Sequence, residues 1–474
     1  MKNFHSLSIK KPTCEELRAK HPLFIYESFA LEESDNSLKI KFQFLLKPDI
    51  YFRPEITFES FDRPKVNLLD RAILENLAFH LGLIEMLSYW KAACSPQIIL
   101  KAGSLDSQQI TWWKDMLLHG MREFFYMNDI DFTRSDFVNI SVQDDRGLVG
   151  RRYDDHPPQD SLVLVSGGKD SAFTLQFLKE IGKGFNCLLL NPTQAATALS
   201  LKAGCREPIV VKRTIDPKLL LLNNAGYLNG HTPFSALLAF LGVTCAALFG
   251  YENVIVSNER SCDEGNVSFL DNEVNHQYSK TFRFENKFRD YVQKYLAKNV
   301  NYFSLLRPLY EIQITHLFAG YPQYFDIFKS CNRNQAENTW CKHCPKCLFI
   351  FTMLYPFLQS DDLTRIFEED LFMHDNSIPV IQELIGINCH KPFECVGTVE
   401  ETLVGFYLGI KKVQSSENKL PSVLRYVKQD VLPKYPNIEK TAGKMLSAWS
   451  DQHNLPQRYA ELLRNRVVEP SESR

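Results

Sequence analysis

The chain has 474 residues, 45% apolar and 23% charged, enough to bury a sizeable core in two to four domains. A net charge of −2 argues against a nucleic-acid partner held by bulk charge, although a local basic groove stays open. No apolar run follows the charged start Met1–Lys11, and the longest apolar stretch, Ala236–Tyr251, is short and interrupted by Gly242, Thr244 and Cys245, so a cytoplasmic protein without membrane spans is expected. The 12 cysteines, spread along a chain with no export signal, then read as reduced thiols.

Residues 23–58 read as β. Leu23–Phe29, Leu38–Leu45 and Ile50–Phe58 are rich in Phe, Ile and Tyr, and Lys39–Phe44 alternates polar and apolar. With the turn Glu33–Ser37 they predict a small antiparallel meander. Leu68–Cys94 then has helical spacing at Leu69, Ile73, Leu77, Leu81 and Ile84. A strand-like Gln97–Lys101 precedes a second helix, Asp106–Phe125. These elements make an N-terminal α+β domain over residues 1–155, with no catalytic motif and a role in substrate binding or oligomerisation. The polar stretch Asp144–Asp160, with Pro157 and Pro158, marks its end.

From residue 161 strands and helices alternate, the mark of an α/β core with a parallel sheet and crossover helices, over residues 156–347. Strands are expected at Leu162–Val165, Asn186–Leu190, Ile209–Val211 and Asn253–Val256, and helices at Ala172–Ile181, Ala195–Ala203 and Pro233–Gly250. Ligands of such sheets sit at the carboxyl ends of the strands. Ser166–Ser171, Asn191–Thr193 and Ser257–Ser261 all fall there.

Ser166-Gly167-Gly168-Lys169-Asp170-Ser171 lies between a strand and a helix. Two glycines let backbone N–H groups close on an anion at the positive end of the new helix. Ser166 and Ser171 add hydroxyl donors and Lys169 a point charge. Asp170 suits phosphates only with a cation such as Mg2+ between them. The spacing is not the Gly-x-x-x-x-Gly-Lys-Ser type. A plain strand-to-helix turn uses the same residue types, but the full six-residue run favours anion binding.

Further on, Asn229–Pro233 opens a helix, with Thr232 as N-cap and Pro233 in the first turn. His231 at that entrance is either an anion-side group or a plain loop histidine. Ser257–Lys280 holds Glu259, Arg260, Cys262, Glu264, His276 and Lys280 with little periodicity, as functional loops at strand ends do. Cys331, Cys341, Cys344 and Cys347 are spaced C-x9-C-x2-C-x2-C, which fits a closed, structural zinc site. An iron–sulfur cluster shares that ligand set, and His343 offers a substitute ligand. Residues 348–474 read as a helical region, with helices near 363–372, 378–384, 399–408 and 442–451, a polar linker at 414–419, a tail at 469–474 and Glu400–Glu401 as a surface helix start.

Ser166–Ser171 resembles the pyrophosphatase (PP) loop of N-type ATP pyrophosphatases, which split ATP to AMP and pyrophosphate, usually to adenylate a carboxylate or carbonyl oxygen. With the four cysteines it is similar to 7-cyano-7-deazaguanine synthases, although this chain is about twice the expected length. The closer resemblance is to the MurL family of ATP-dependent epimerases. Ser166–Ser171, Asn229–Pro233, Ser257–Asn266, Val274–Lys280, Tyr302–Tyr310, Trp340–Cys347 and His390–Gly397 carry it. It implies a UDP-muramoyl dipeptide substrate, UDP-N-acetylmuramoyl-L-alanyl-L-glutamate, whose terminal L-glutamate is inverted for peptidoglycan synthesis at the expense of ATP. Ser166, Gly167, Gly168, Lys169, Asp170 and Ser171 would then hold ATP and Mg2+. His276 and Cys262 would be the first candidates for proton transfer, followed by Glu259, Glu264 and His231. Arg260 and Lys280 would pair the substrate's acidic groups. Alternatives at this point are another PP-loop enzyme, such as a deazaguanine synthase or tRNA-modifying ligase, and a non-catalytic nucleotide-binding protein.

Overall fold

A computed structural model describes residues 11–34, 36–59, 69–143, 150–157, 159–387, 390–416 and 419–468. The charged start at residues 1–10 and the expected tail at 469–474 lie outside these, as does part of the polar stretch 144–160. The chain forms two compact units, one of Met1–Phe58, Leu69–Arg151 and Lys212–Phe240, the other of Glu59–Leu68, Arg152–Val211 and Leu241–Arg474.

The first unit holds strands β1 (Leu23–Glu33), β2 (Leu38–Leu46), β3 (Ile50–Phe52), β4 (Glu55–Phe58), β5 (Gln97–Leu100) and β6 (Asn139–Val142). The expected meander is a mixed sheet instead. β1, β3 and β4 all pair antiparallel with β2, while β5 runs parallel to β1 and β6 parallel to β5. The single strand expected over 50–58 breaks at Arg53–Pro54, since proline has no ladder N–H. The helix Arg71–Trp90 starts on an Asp70 N-cap, and nearly all of it is buried. On it His80 Nδ1 donates to the Asn76 carbonyl at 2.8 Å. The helix expected over 106–125 is two, Ser107–Gly120 and Arg122–Met127.

The second unit holds strands β7 (Gln159–Leu164), β8 (Asn186–Leu190), β9 (Ile209–Thr214) and β10 (Tyr251–Val256), the small hairpin β11 (Val267–Phe269) and β12 (Asn272–Val274), and β13 (Asn301–Ser304). Its sheet runs in the order β13-β10-β7-β8-β9, every pairing parallel. It is the parallel α/β sheet expected, with β13 added as an edge strand beyond the four strands expected. Winding turns left and right from β7, so the switch point lies between β7 and β10. Helices Lys169–Glu180 and Gln194–Ala203 follow β7 and β8. The C-terminal part is helical, including Pro345–Leu354, Ser360–Phe367, Ile378–Leu384 and Val399–Ser415. No helix among the described residues is long and apolar enough to cross a membrane.

Candidate active site

The switch point gathers the loops after β7 and β10, both in the second unit. After β7 the chain turns at Gly167, whose φ of 93° is left-handed. A Cβ there would lie 2.9 Å from the Ala196 nitrogen, so the turn needs glycine for space as well as for conformation. Gly168 occupies the N-cap position of helix Lys169–Glu180 with no side chain to cap it. The helix entrance therefore keeps its N–H donors for an anion. Ser171 Oγ accepts from the Ser166 N–H at 3.2 Å, and the Gly167 carbonyl accepts from the Lys329 N–H at 2.9 Å. Across the switch point Thr174 Oγ1 meets Ser257 Oγ at 2.9 Å.

Lys169 does not point into solvent. It is 1% exposed, with Nζ bonded to the Asp170 carboxylate and 2.9 Å from Glu311 Oε1. Glu311 opens helix Glu311–Phe318 and is 2% exposed, and its Oε2 is a buried oxygen without a hydrogen-bond partner. Burial and the Asp170 charge push the Glu311 carboxyl up to about 8, against the pull of Lys169. Asp170, Glu259 and Glu311 each present a carboxylate oxygen, all within 4.8 Å of one another. Such an all-oxygen set fits a hard divalent cation. Glu311 escaped the sequence reading because an acidic residue in a first helical turn is an ordinary dipole partner.

The polar loop after β10 is built around Arg307, which is 1% exposed. Its guanidinium donates to the Glu259 carbonyl at 2.8 Å and to the Lys280 carbonyl, clamping both ends of the loop, and meets Glu285 at 3.5 Å. Arg260 lies over the Tyr310 ring at 4.5 Å. Glu259 is buried. Burial lifts its carboxyl, but Lys280 and the Cys262 thiol together hold it below the usual range. Cys262 is fully buried and its Sγ donates to Glu259 Oε1 at 2.9 Å. Burial and the Glu259 charge push that thiol well up.

Glu264 ties down the segment before helix Val399–Ser415, accepting from Lys391 Nζ at 3.1 Å and the Val399 N–H at 3.2 Å. The backbone N–H of His276 donates to Asn266 Oδ1 at 2.9 Å. Lys280 Nζ reaches Gln277 Oε1 at 3.3 Å and Cys395 Sγ at 3.1 Å. His231 belongs to the first unit, where its Nδ1 lies 3.4 Å from Glu123 Oε2. Glu401, expected at a surface helix start, is fully buried instead. It closes a capping box with Thr398 and accepts from the Glu311 N–H at 2.6 Å.

The four cysteines converge, their Sγ atoms within 4.8 Å of one another. Zinc–sulfur bonds of about 2.3 Å set tetrahedral sulfurs about 3.8 Å apart. Cys341 and Cys347 Sγ are 3.8 Å apart, so the set fits zinc. Backbone N–H groups of Asn334, Cys341 and Cys347 point at the sulfurs of Cys331 and Cys344, each at 3.4 Å, as around a thiolate centre. His343 stays outside the set, its Nδ1 2.5 Å from the Cys341 carbonyl.

Fold and site define an α/β protein with an uncapped helix entrance beside a cluster of carboxylates, and four converging cysteine thiols that fit a metal. The chain belongs to the MurL family. The MurL N-terminal domain matches residues 15–305 and the MurL C-terminal domain residues 327–438. It is similar to the UDP-N-acetyl-alpha-D-muramoyl-L-alanyl-L-glutamate epimerase of Micromonospora sp., 32% identical over 81% of this chain and 84% of that one. The enzymes of the same name from Salinispora tropica and Xanthomonas oryzae pv. oryzae are 34% and 32% identical, over 69% and 79% of this chain and 72% and 83% of theirs. No solved structure matches the chain.

Proposed function

We propose that this protein inverts the terminal L-glutamate of UDP-N-acetylmuramoyl-L-alanyl-L-glutamate to D-glutamate for peptidoglycan synthesis in the cytoplasm, splitting ATP to AMP and pyrophosphate. The observation that carries the proposal is similarity to three epimerases of that name over most of the chain. The geometry after β7 supports the ATP part, as a PP-loop would. A carboxylate beside the α-carbon opposes formation of a carbanion there. Adenylation removes that charge and makes the α-proton far more acidic. A base then removes the proton, an acid returns one to the other face, and hydrolysis of the acyl-adenylate frees the product.

In this reading Ser166, Gly167, Gly168 and Ser171 bind the phosphates through backbone N–H and hydroxyl donors, and Lys169 adds its charge. Asp170, Glu259 and Glu311 would hold Mg2+, which supplies charge neutralisation for the pyrophosphate leaving group. Cys331, Cys341, Cys344 and Cys347 would hold a structural zinc. Arg260 and Lys280 offer cationic partners for the substrate's acidic groups.

The test is incubation with ATP, Mg2+ and the UDP-muramoyl dipeptide in D2O. The expected result is AMP, deuterium at the glutamate α-carbon and D-glutamate after acid hydrolysis. Folded, metal-loaded protein that yields neither AMP nor exchange would refute the proposal.

A further inference from the structure

Two thiols stand beside Lys280, and their surroundings are opposite. Cys262 is sealed in, with its S–H directed at Glu259 Oε1. A thiol that donates to a carboxylate has no lone pair charge to offer as a base. Cys395 is only partly buried. Its Sγ accepts from Lys280 Nζ at 3.1 Å and lies 3.9 Å from His276 Nε2, while its carbonyl accepts from Lys346 Nζ.

The loop that carries Cys395 is strapped to the polar loop after β10. Besides the Glu264 contacts, Asn266 Nδ2 donates to the Pro392 carbonyl at 2.8 Å and Gln277 Nε2 to the Val396 carbonyl at 3.4 Å. These bonds hold the backbone on both sides of the sulfur. Lys280 connects the thiol to the carboxylates by the phosphate loop, since it is also the charge that most lowers Glu259. The partnerless, buried Glu311 Oε2 in that carboxylate cluster is a second sign that a ligand belongs here.

Resting on the epimerase reading, we propose that Cys395 is the base that removes the glutamate α-proton, with Lys280 holding the thiolate and His276 exchanging its proton. The sulfur lone pair takes the α-proton, the C–H electrons move into the adenylated acyl group, and the negative charge passes from sulfur to the acyl oxygen. A different donor returns a proton on the opposite face. The Cys395 S–H then passes its proton by way of His276 to water, and the donor regains one from water, so no net proton is consumed. Burial lifts the Cys395 thiol, and against it Lys280, His276 and Lys346 draw it down to about 5. These three groups come from different segments of the second unit. Thiolate is then the resting form at neutral pH.

Two measurements test this. In the D2O assay Cys395→Ser still splits ATP to AMP in a single turnover, but deuterium incorporation falls at least 100-fold and the glutamate returns as the L form. Independently of turnover, iodoacetamide labelling of the protein without substrate, read peptide by peptide in a mass spectrometer, shows Cys395 reacting with a midpoint near pH 5. In Lys280→Met that midpoint moves up by two units or more. Exchange in Cys395→Ser within threefold of the wild type, or labelling of Cys395 only above pH 8, overturns the assignment. If wild-type protein makes neither AMP nor exchanged product, the epimerase reading fails, and the labelling midpoint still decides whether Cys395 is a thiolate.

Discussion

Replacing Lys169 by methionine tests the centre of the site. The ammonium sits between Asp170 and Glu311, with side-chain exposures of 1%, 27% and 2%. Breaking a buried pair costs about 3–5 kcal/mol, because the remaining charge is left uncompensated. Asp170 is partly wet, so most of the loss comes from Glu311. The Glu311 carboxyl is raised in the fold to about 8, so its ionisation opposes folding. Its favourable contribution is full below its ordinary value and is lost as pH rises through 8. Lys169 softens that loss, and Lys169→Met removes the softening. The deficit relative to wild type is therefore about 3 kcal/mol at pH 9 and about half that at pH 7, where Glu311 keeps its proton. Urea unfolding at both pH values measures it. The double variant Lys169→Met with Glu311→Gln recovers stability at pH 9 to within about 1 kcal/mol, because no buried charge is left unpaired. AMP formation stays at least about 100-fold down in both variants. A Lys169→Met protein as stable as wild type at pH 9 would mean that the buried Lys169–Glu311 pair carries no stability, and one that splits ATP normally would remove Lys169 from the nucleotide site.

Three other outcomes follow from the geometry. Elemental analysis of the purified chain finds one zinc, and Cys344→Ser loses it together with several degrees of thermal stability; a variant with unchanged metal content would mean that the thiols are not its ligands. His80 is lowered to about 4 by burial. The neutral ring is the folded form, so stability is complete above pH 6.5 and falls by about 3 kcal/mol as pH drops through 4. His80→Gln flattens that decline, read by the fluorescence of Trp113, whose ring centroid is 6.3 Å from His80. Gly167→Ala forces a side chain into a left-handed φ of 93° and towards the Ala196 nitrogen, at a cost of about 1–2 kcal/mol before the clash is counted. Its KM for ATP rises at least tenfold, and an unchanged KM would remove the glycine turn from nucleotide binding.

Much of this protein was legible along the chain because the signals are local. A strand, two glycines and a helix start follow from a few contiguous residues, and β8 appears at the very bounds its apolar run predicts. The cysteine spacing announced four converging sulfurs for the same reason, as short loops leave thiols few other places to go. Burial and long-range contact were hidden. Glu401 looked like a surface residue and is fully buried, because what covers it comes from residues 90 positions away.

The sequence alone therefore determined the glycine turn at a helix start, the α/β core, the spacing of the four cysteines and the family resemblance, all of which rest on neighbouring residues and their spacing. Tertiary structure decided the chemistry around them. Parallel ordering of β10 and β13 beside β7 brings Glu259 and Glu311 to Asp170, and the strapping of residues 391–399 onto the β10 loop brings Cys395 to Lys280. The physical reason is that a carboxyl or thiol acquires its proton affinity from the charges and the loss of water around it. Those are set by groups far apart in the chain and adjacent only in the fold.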